Sequence, residues 1–170
     1  MAYLVRKINV NRWPDGANIS LDGFEVQADA ITNDLRTDNN EISWWRVDDL
    51  SQIEMVGVSF VSTLKEKANG VFRFVAIPFD EVNEKLSIKN TPEHGITAIK
   101  AMKNEHYDIF GLNYKSLGVL ADIVANSTAD KSMRFIKTLK VKDAISKLKQ
   151  LKQQNELDVA CLGFVKDKLE

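Results

Sequence analysis

The chain predicts an α/β fold, a single domain in which a mixed sheet is covered by amphipathic helices. Three observations lead there. Runs of β-branched and aromatic residues alternate with helix-spaced apolar stripes along the whole length, the pattern of a sheet flanked by helices. The length of 170 residues is that of an ordinary single domain. A hydrophobic share of 44% beside a charged share of 28% supplies a core without help from disulfides or metal.

Tyr3 to Val10 reads as the first strand, closed by the turn signal Asn11-Arg12-Trp13-Pro14-Asp15-Gly16. Asp22-Gly23 marks a second turn, and Val26, Ala30, Ile31 and Leu35 suggest a short helix from about Phe24 to Leu35. Ile42 to Val47 is dense in aromatic and β-branched residues and reads as a strand. Ser51 with Glu54 three residues later fits a capping box, followed by the stripe Ile53, Val56, Phe60, Leu64 over a helix predicted for 51–68. Asn69-Gly70 ends that element, and Val71 to Ile77 is the best strand of the chain.

Phe79, Val82 and Leu86 suggest a short helix, Asn90 to Gly95 a loop, and Ile96, Ile99 and Met102 another helix. Tyr107 to Leu112 and Met133 to Leu139 read as strands, and Leu117 to Ala125 and Val141 to Gln153 as helices. Leu157 to Phe164 fits either period. The expected core includes Val5, Ile42, Phe60, Val71, Phe74, Ile77, Leu120, Ile145 and Leu148. A weak boundary is read near 126–132, but the roughly 40 residues beyond it are few for independent folding.

Several function classes are excluded by what the sequence lacks. The longest strongly apolar uncharged run, Met55 to Leu64, is half of what a bilayer span needs. The first charges, Arg6 and Lys7, follow a short apolar run instead of preceding a long one, so no secretory signal is read. Cys161 is the only cysteine, which rules out an internal disulfide and a cysteine-based zinc site within the chain. These features together predict a cytoplasmic protein without membrane contact. No G-x-x-x-x-G-K-[ST], G-x-G-x-x-G or G-x-S-x-G pattern occurs, so the backbone cradles of common nucleotide-dependent enzymes and the elbow of α/β-hydrolases are missing. No cofactor and no metal are expected.

Charge is unevenly spread although the formal net charge is −1. Residues 1–50 carry 5 basic and 9 acidic side chains, and residues 131–152 carry 8 basic and one acidic. The basic segment, with Arg134, Lys142 and Lys149, could contact phosphates. Its preponderance of Lys and its single aromatic, Phe135, fit base readout and stacking poorly. An amphipathic surface helix, or one facing a partner, accounts for it as well.

Trp44 and Trp45 are the most unusual local feature. In a strand one face would carry Ile42, Trp44 and Arg46 and the other Ser43, Trp45 and Val47. Either both faces are covered, or one Trp is exposed beside Arg46 as a binding hot spot. Asp29, Asp34, Asp38, Glu41, Asp48 and Asp49 could collect around a divalent ion, yet each also suits a cap, turn or strand end. His94 and His106 have acidic neighbours, and metal or acid–base work would require them to converge with a carboxylate. Their plain reading is a loop histidine and an element-end histidine. Arg36, Glu105 and Tyr107 could be recruited to an ADP-ribosyl-type site, although nothing in their spacing demands it.

The leading expectation is a non-enzymatic accessory protein that binds a protein partner or another copy of itself through Trp44, Trp45 and Arg46 or through Arg134, Lys142 and Lys149. The alternative is an enzyme acting on nucleic acid or nucleotide through dispersed acidic and His residues.

Overall fold

The computed structural model describes residues 1–13, 26, 28–130, 132 and 134–169. Six strands form one sheet: β1 (Tyr3–Ile8), β2 (Ile42–Val47), β3 (Val71–Pro78), β4 (Ser87–Asn90), β5 (His106–Phe110) and β6 (Ile136–Lys140), in the order β4-β5-β2-β1-β3-β6. Among the described residues four α-helices accompany it: α1 (Ile53–Thr63), α2 (Phe79–Lys85), α3 (Tyr114–Thr128) and α4 (Val141–Gln153). The α/β class is as expected. Every pairing among the described strands is antiparallel, so the sheet is not mixed.

The topology explains the difference. β2 and β3 both run antiparallel to β1, one on each side, so the β2–α1–β3 connection joins two parallel strands and leaves β1 between them. The β5–α3–β6 connection likewise joins parallel strands that are not neighbours. Helix–strand alternation correctly signals crossovers, but the gap under each one is filled by antiparallel strands.

Both faces of the sheet are covered. On one face Val5, Val47, Phe74, Ala76 and Leu139 pack against α1, α4 and the C-terminal Val165 and Leu169. On the other, Leu4, Ile42, Trp44, Val75, Ile77 and Ile109 pack against α2 and α3. α1 approaches closely because position 57 is glycine: a Cβ there would stand 2.7 Å from Leu139 Cδ2 and 2.9 Å from Phe74 Cε2. α3 starts on a reciprocal cap in which Asn113 Oδ1 accepts from the Ser116 amide at 3.1 Å and Ser116 Oγ accepts from the Asn113 amide at 2.8 Å.

Most elements fall where the sequence puts them, and the departures have local causes. The helix expected over Ile96 to Met102 is only a 3₁₀ turn at Lys100–Met102, because Thr97, Ala98 and Ile99 are held instead by α1 and by residues 156–158. The expected loop at Asn90 begins as the last residue of β4. The Ser51–Glu54 cap is replaced by Asp49, whose carboxylate accepts from the Ser51 amide and opens a 3₁₀ turn before α1. α1 ends at Thr63, well before Gly70, which has φ +101° in the turn into β3. Val71 is exposed, and Phe60 and Ile145 are only half-buried; the other expected core residues are buried. Of the helix expected from Phe24, residues 24, 25 and 27 lie outside the described residues, and Ala30–Asp34 is a single π-helical turn. The Asp15-Gly16 and Asp22-Gly23 turns, Lys131 and Met133 also lie outside them. β6, beyond the weak boundary read near 126–132, pairs with β3 in the same sheet. Among the described residues no helix is long and apolar enough to cross a membrane.

Candidate functional site

β5 alternates, so His106 and Asp108 project from one face and Tyr107 and Ile109 from the other. Antiparallel register sets Trp45 opposite His106 and Ser43 opposite Asp108. A tight turn follows β4 and carries Thr91 and His94 back across this face. It lies close to the sheet because position 95 is glycine: a Cβ there would stand 2.5 Å from His106 Cβ.

The result is a carboxylate only 3% exposed and held from three sides. Ser43 Oγ donates to Asp108 Oδ1 at 2.9 Å, Thr91 Oγ1 donates to Oδ2 at 2.9 Å, and His94 Nδ1 lies 2.6 Å from Oδ2. His106 Nδ1 is 3.0 Å from both the Thr91 carbonyl and Thr91 Oγ1. A carbonyl can only accept, so Nδ1 of His106 bears the proton. The Thr91 hydroxyl then passes its own proton on to Asp108. Trp45 meets the His106 ring edge-on at 5.1 Å.

These contacts separate the two histidines electrostatically. Burial pushes His106 below its ordinary value, against the opposing pull of the Asp108 charge. The hydrogen bond to Asp108 raises His94, aided by the charges of Asp108, Glu93 and Glu41. For Asp108, burial pushes upward, but the hydrogen bonds from His94, Ser43 and Thr91 outweigh it and hold the carboxyl below its usual range. A half-exposed, readily protonated imidazole therefore stands on a buried, ionised carboxylate. Nε2 of His94 makes no hydrogen bond among the described residues.

Glu41, just before β2, completes the group. Its carboxylate, the Asp108 carboxylate and a His94 ring nitrogen offer ligand atoms that all lie within 4.8 Å of one another. That donor set could hold a divalent ion through a deprotonated ring nitrogen of His94 and the two carboxylates. The histidines expected to be separate thus converge with a carboxylate. The signal was present in His106-x-Asp108, since residues two apart in a strand share a face.

The other expected site residues are dispersed. Trp44 is fully buried against α3 and offers no surface to a partner. Trp45 is half-buried, packed on the opposite core. Covered sheet faces leave neither as an exposed anchor. Arg46 pairs with Asp48 at 2.8 Å and Glu105 at 3.4 Å, at the rim of a cleft of about 460 Å³ floored by Val47, Met55 and Val58. Arg134 pairs with Asp130 at 3.0 Å and lies over the Phe135 ring. Lys142 and Lys149 are exposed on α4 with no ion-pair partner among the described residues. Of the six acidic candidates, Glu41 alone joins the cluster. Asp34 accepts from the Trp13 indole N–H, Asp49 caps a turn, and Asp29 and Asp38 are exposed. Tyr107 packs on Phe79, whose ring also carries the Arg46 guanidinium that pairs with Glu105, while Arg36 is exposed elsewhere.

The chain matches no protein-family model, no curated protein and no solved structure.

Proposed function

We propose that the protein is a phosphoester-cleaving enzyme acting on a nucleotide or nucleic acid, with His94 as its proton-transfer group. The observation that carries this reading is the 2.6 Å contact between His94 Nδ1 and the buried Asp108 carboxylate. Asp108 fixes the ring and the tautomer and stabilises the imidazolium, which leaves Nε2 to take a proton from an attacking hydroxyl or water and return it to the leaving oxygen. Ser43 and Thr91 keep Asp108 ionised and stationary. Lys89, opposite Asp108 in the β4–β5 register, favours an anionic substrate.

The test is a cleavage assay on bis(p-nitrophenyl) phosphate, nucleoside 2′,3′-cyclic phosphates and short oligoribonucleotides, with and without EDTA. The chelator separates proton transfer by free His94 from chemistry at an ion held by the same three groups. Turnover should fall roughly 10²–10⁴-fold in a folded His94→Ala protein. No turnover on any of these substrates, or turnover indifferent to His94, would sink the reading.

A second reading is favoured by one observation. Lys142 and Lys149 are exposed and unpaired on α4 among the described residues, which suits an accessory protein that binds an acidic protein partner. Reversing both charges should slow such an association and flatten its salt dependence. An association rate that ignores the reversal counts against it.

A further inference from the structure

The ladder between β1 and β2 stops early. Tyr3, Leu4 and Val5 pair with Val47, Arg46 and Trp45, and there the register ends, although β1 continues to Ile8 and β2 reaches back to Ile42. On its other side β1 stays paired with β3 over its full length. The two strands therefore part beyond Val5, and the Asn33–Asp34 turn wedges between them.

Arg6 fills the split. Its Nε donates to the Asp34 carbonyl at 2.9 Å and one terminal nitrogen donates to the Ser43 carbonyl at 2.6 Å, the acceptor that β1 no longer reaches. Both partners are neutral carbonyls. Among the described residues no carboxylate lies within ion-pair distance of this guanidinium. The Asp34 carboxylate, whose charge acts on this guanidinium, already accepts from the Asn9 amide and the Trp13 indole, each at 2.9 Å. This half-buried guanidinium, held only by carbonyls, keeps its remaining N–H groups for an anion that would complete its fork.

The same split opens a recess of about 270 Å³ lined by Arg6 and Lys7 together with Trp45, Phe60 and Phe74. Lys7 Nζ sits 5.4 Å from the Phe60 ring centroid, poised on the aromatic wall with no carboxylate partner among the described residues. A second recess shares Lys7, Asn33 and Asp34 and adds Arg12 and Arg73. Ser43 lines the first recess and also donates to Asp108, so one residue joins the cationic split to the acid–base cluster.

We propose that the split between β1 and β2 is a binding subsite for a phosphate monoester on an aromatic or other apolar body, with Arg6 and Lys7 as its cations. Arg6 offers its remaining N–H groups to the phosphate oxygens from within the split, Lys7 supplies a mobile charge from beside Phe60, and the ring of the ligand lies along Trp45 and Phe60. Its geometry stands alone; its role as the anchor of a substrate beside His94 rests on the acid–base reading above.

Calorimetric titration with AMP, adenosine and inorganic phosphate tests it on the wild-type chain. AMP should bind, with adenosine and phosphate each weaker by roughly tenfold or more, because each lacks half of the recognition. Arg6→Gln should weaken AMP by roughly tenfold or more. Lys7→Ala, at an exposed position that leaves folding intact, should weaken it by about threefold or more and reduce its salt dependence. No AMP binding below about 10 mM, AMP binding no tighter than inorganic phosphate, or AMP affinity unmoved by Lys7→Ala overturns the subsite. Binding of AMP without His94-dependent cleavage leaves the subsite standing and removes the catalytic reading. His94-dependent cleavage without AMP binding does the reverse.

Discussion

The two sides of β1 are built differently. Toward β3 it is paired from Tyr3 to Ile8, over a core containing Phe74 and Ala76. Toward β2 it is paired for three residues, then opens, and the lost ladder contact is replaced by a guanidinium. The polar chemistry of the molecule lies on the open side and one strand further on, at Ser43, Asp108 and His94. Where backbone satisfies backbone, side chains are free to be apolar. Where the ladder is given up, buried carbonyls need donors, and the groups that meet this need also create recesses and fixed charges.

The closed side should be the most sensitive to truncation. Phe74 is 1% exposed, touches α1 near Gly57, and meets the Phe60 ring at 5.9 Å. Phe74→Ala should cost about 3–5 kcal/mol in denaturant-induced unfolding. A loss near 1 kcal/mol would mean that β3, though fully paired with β1, is not tightly packed beneath α1.

The polar side should respond next, through its backbone. In Gly95→Ala the new methyl would stand 2.5 Å from His106 Cβ, so the turn carrying Thr91 and His94 must lift. The expected cost is about 1–3 kcal/mol, the range for overpacking a close contact. It should come with a shift of the His94 and His106 ring resonances. A variant that unfolds as the parent does, with both rings unmoved, would show that the turn is loosely seated and the cluster is not preorganised.

Legibility in the sequence follows the same division. β1, β2, β3 and α4 were readable because period-2 and helical apolar patterns act within one element, and Trp44 and Trp45 face opposite cores as alternation requires. The cluster was not assembled from sequence because its members come from four places, Glu41 and Ser43, Thr91, His94, and His106 with Asp108, brought together by register and a turn. One part of it was readable in principle, since His106-x-Asp108 in a strand fixes a shared face. Arg6 carried no signal of its own. Its role depends on where the β1–β2 ladder stops, and neither residue pattern nor charge records that.

The smallest expected effect is on the pH dependence of stability, where the two histidines oppose each other. His94 has a raised value in the fold, so its contribution is fully present below its ordinary pKa of 6.5 and is lost as pH rises through the raised value. His106 has a lowered value, because burial favours its neutral form. Its contribution is present above 6.5 and is lost as pH falls through the lowered value. The two windows meet at 6.5, so wild-type stability should pass through a maximum near that pH and fall on either side of it. Asp108 adds a loss only at acid pH, as pH falls below 3.8 through its lowered value. Removing His94 takes away one arm of the balance. It also relieves His106 of a like charge, but burial, the larger influence, remains. Stability of His94→Ala should therefore rise with pH through the region near 6.5 more steeply than that of the parent. Proton resonances of the two rings in the wild-type protein should titrate on opposite sides of 6.5. Coincident titrations, or a variant whose stability keeps the parent's slope, would mean that Asp108 does not distinguish the two rings and that the open side of the sheet holds no poised imidazole.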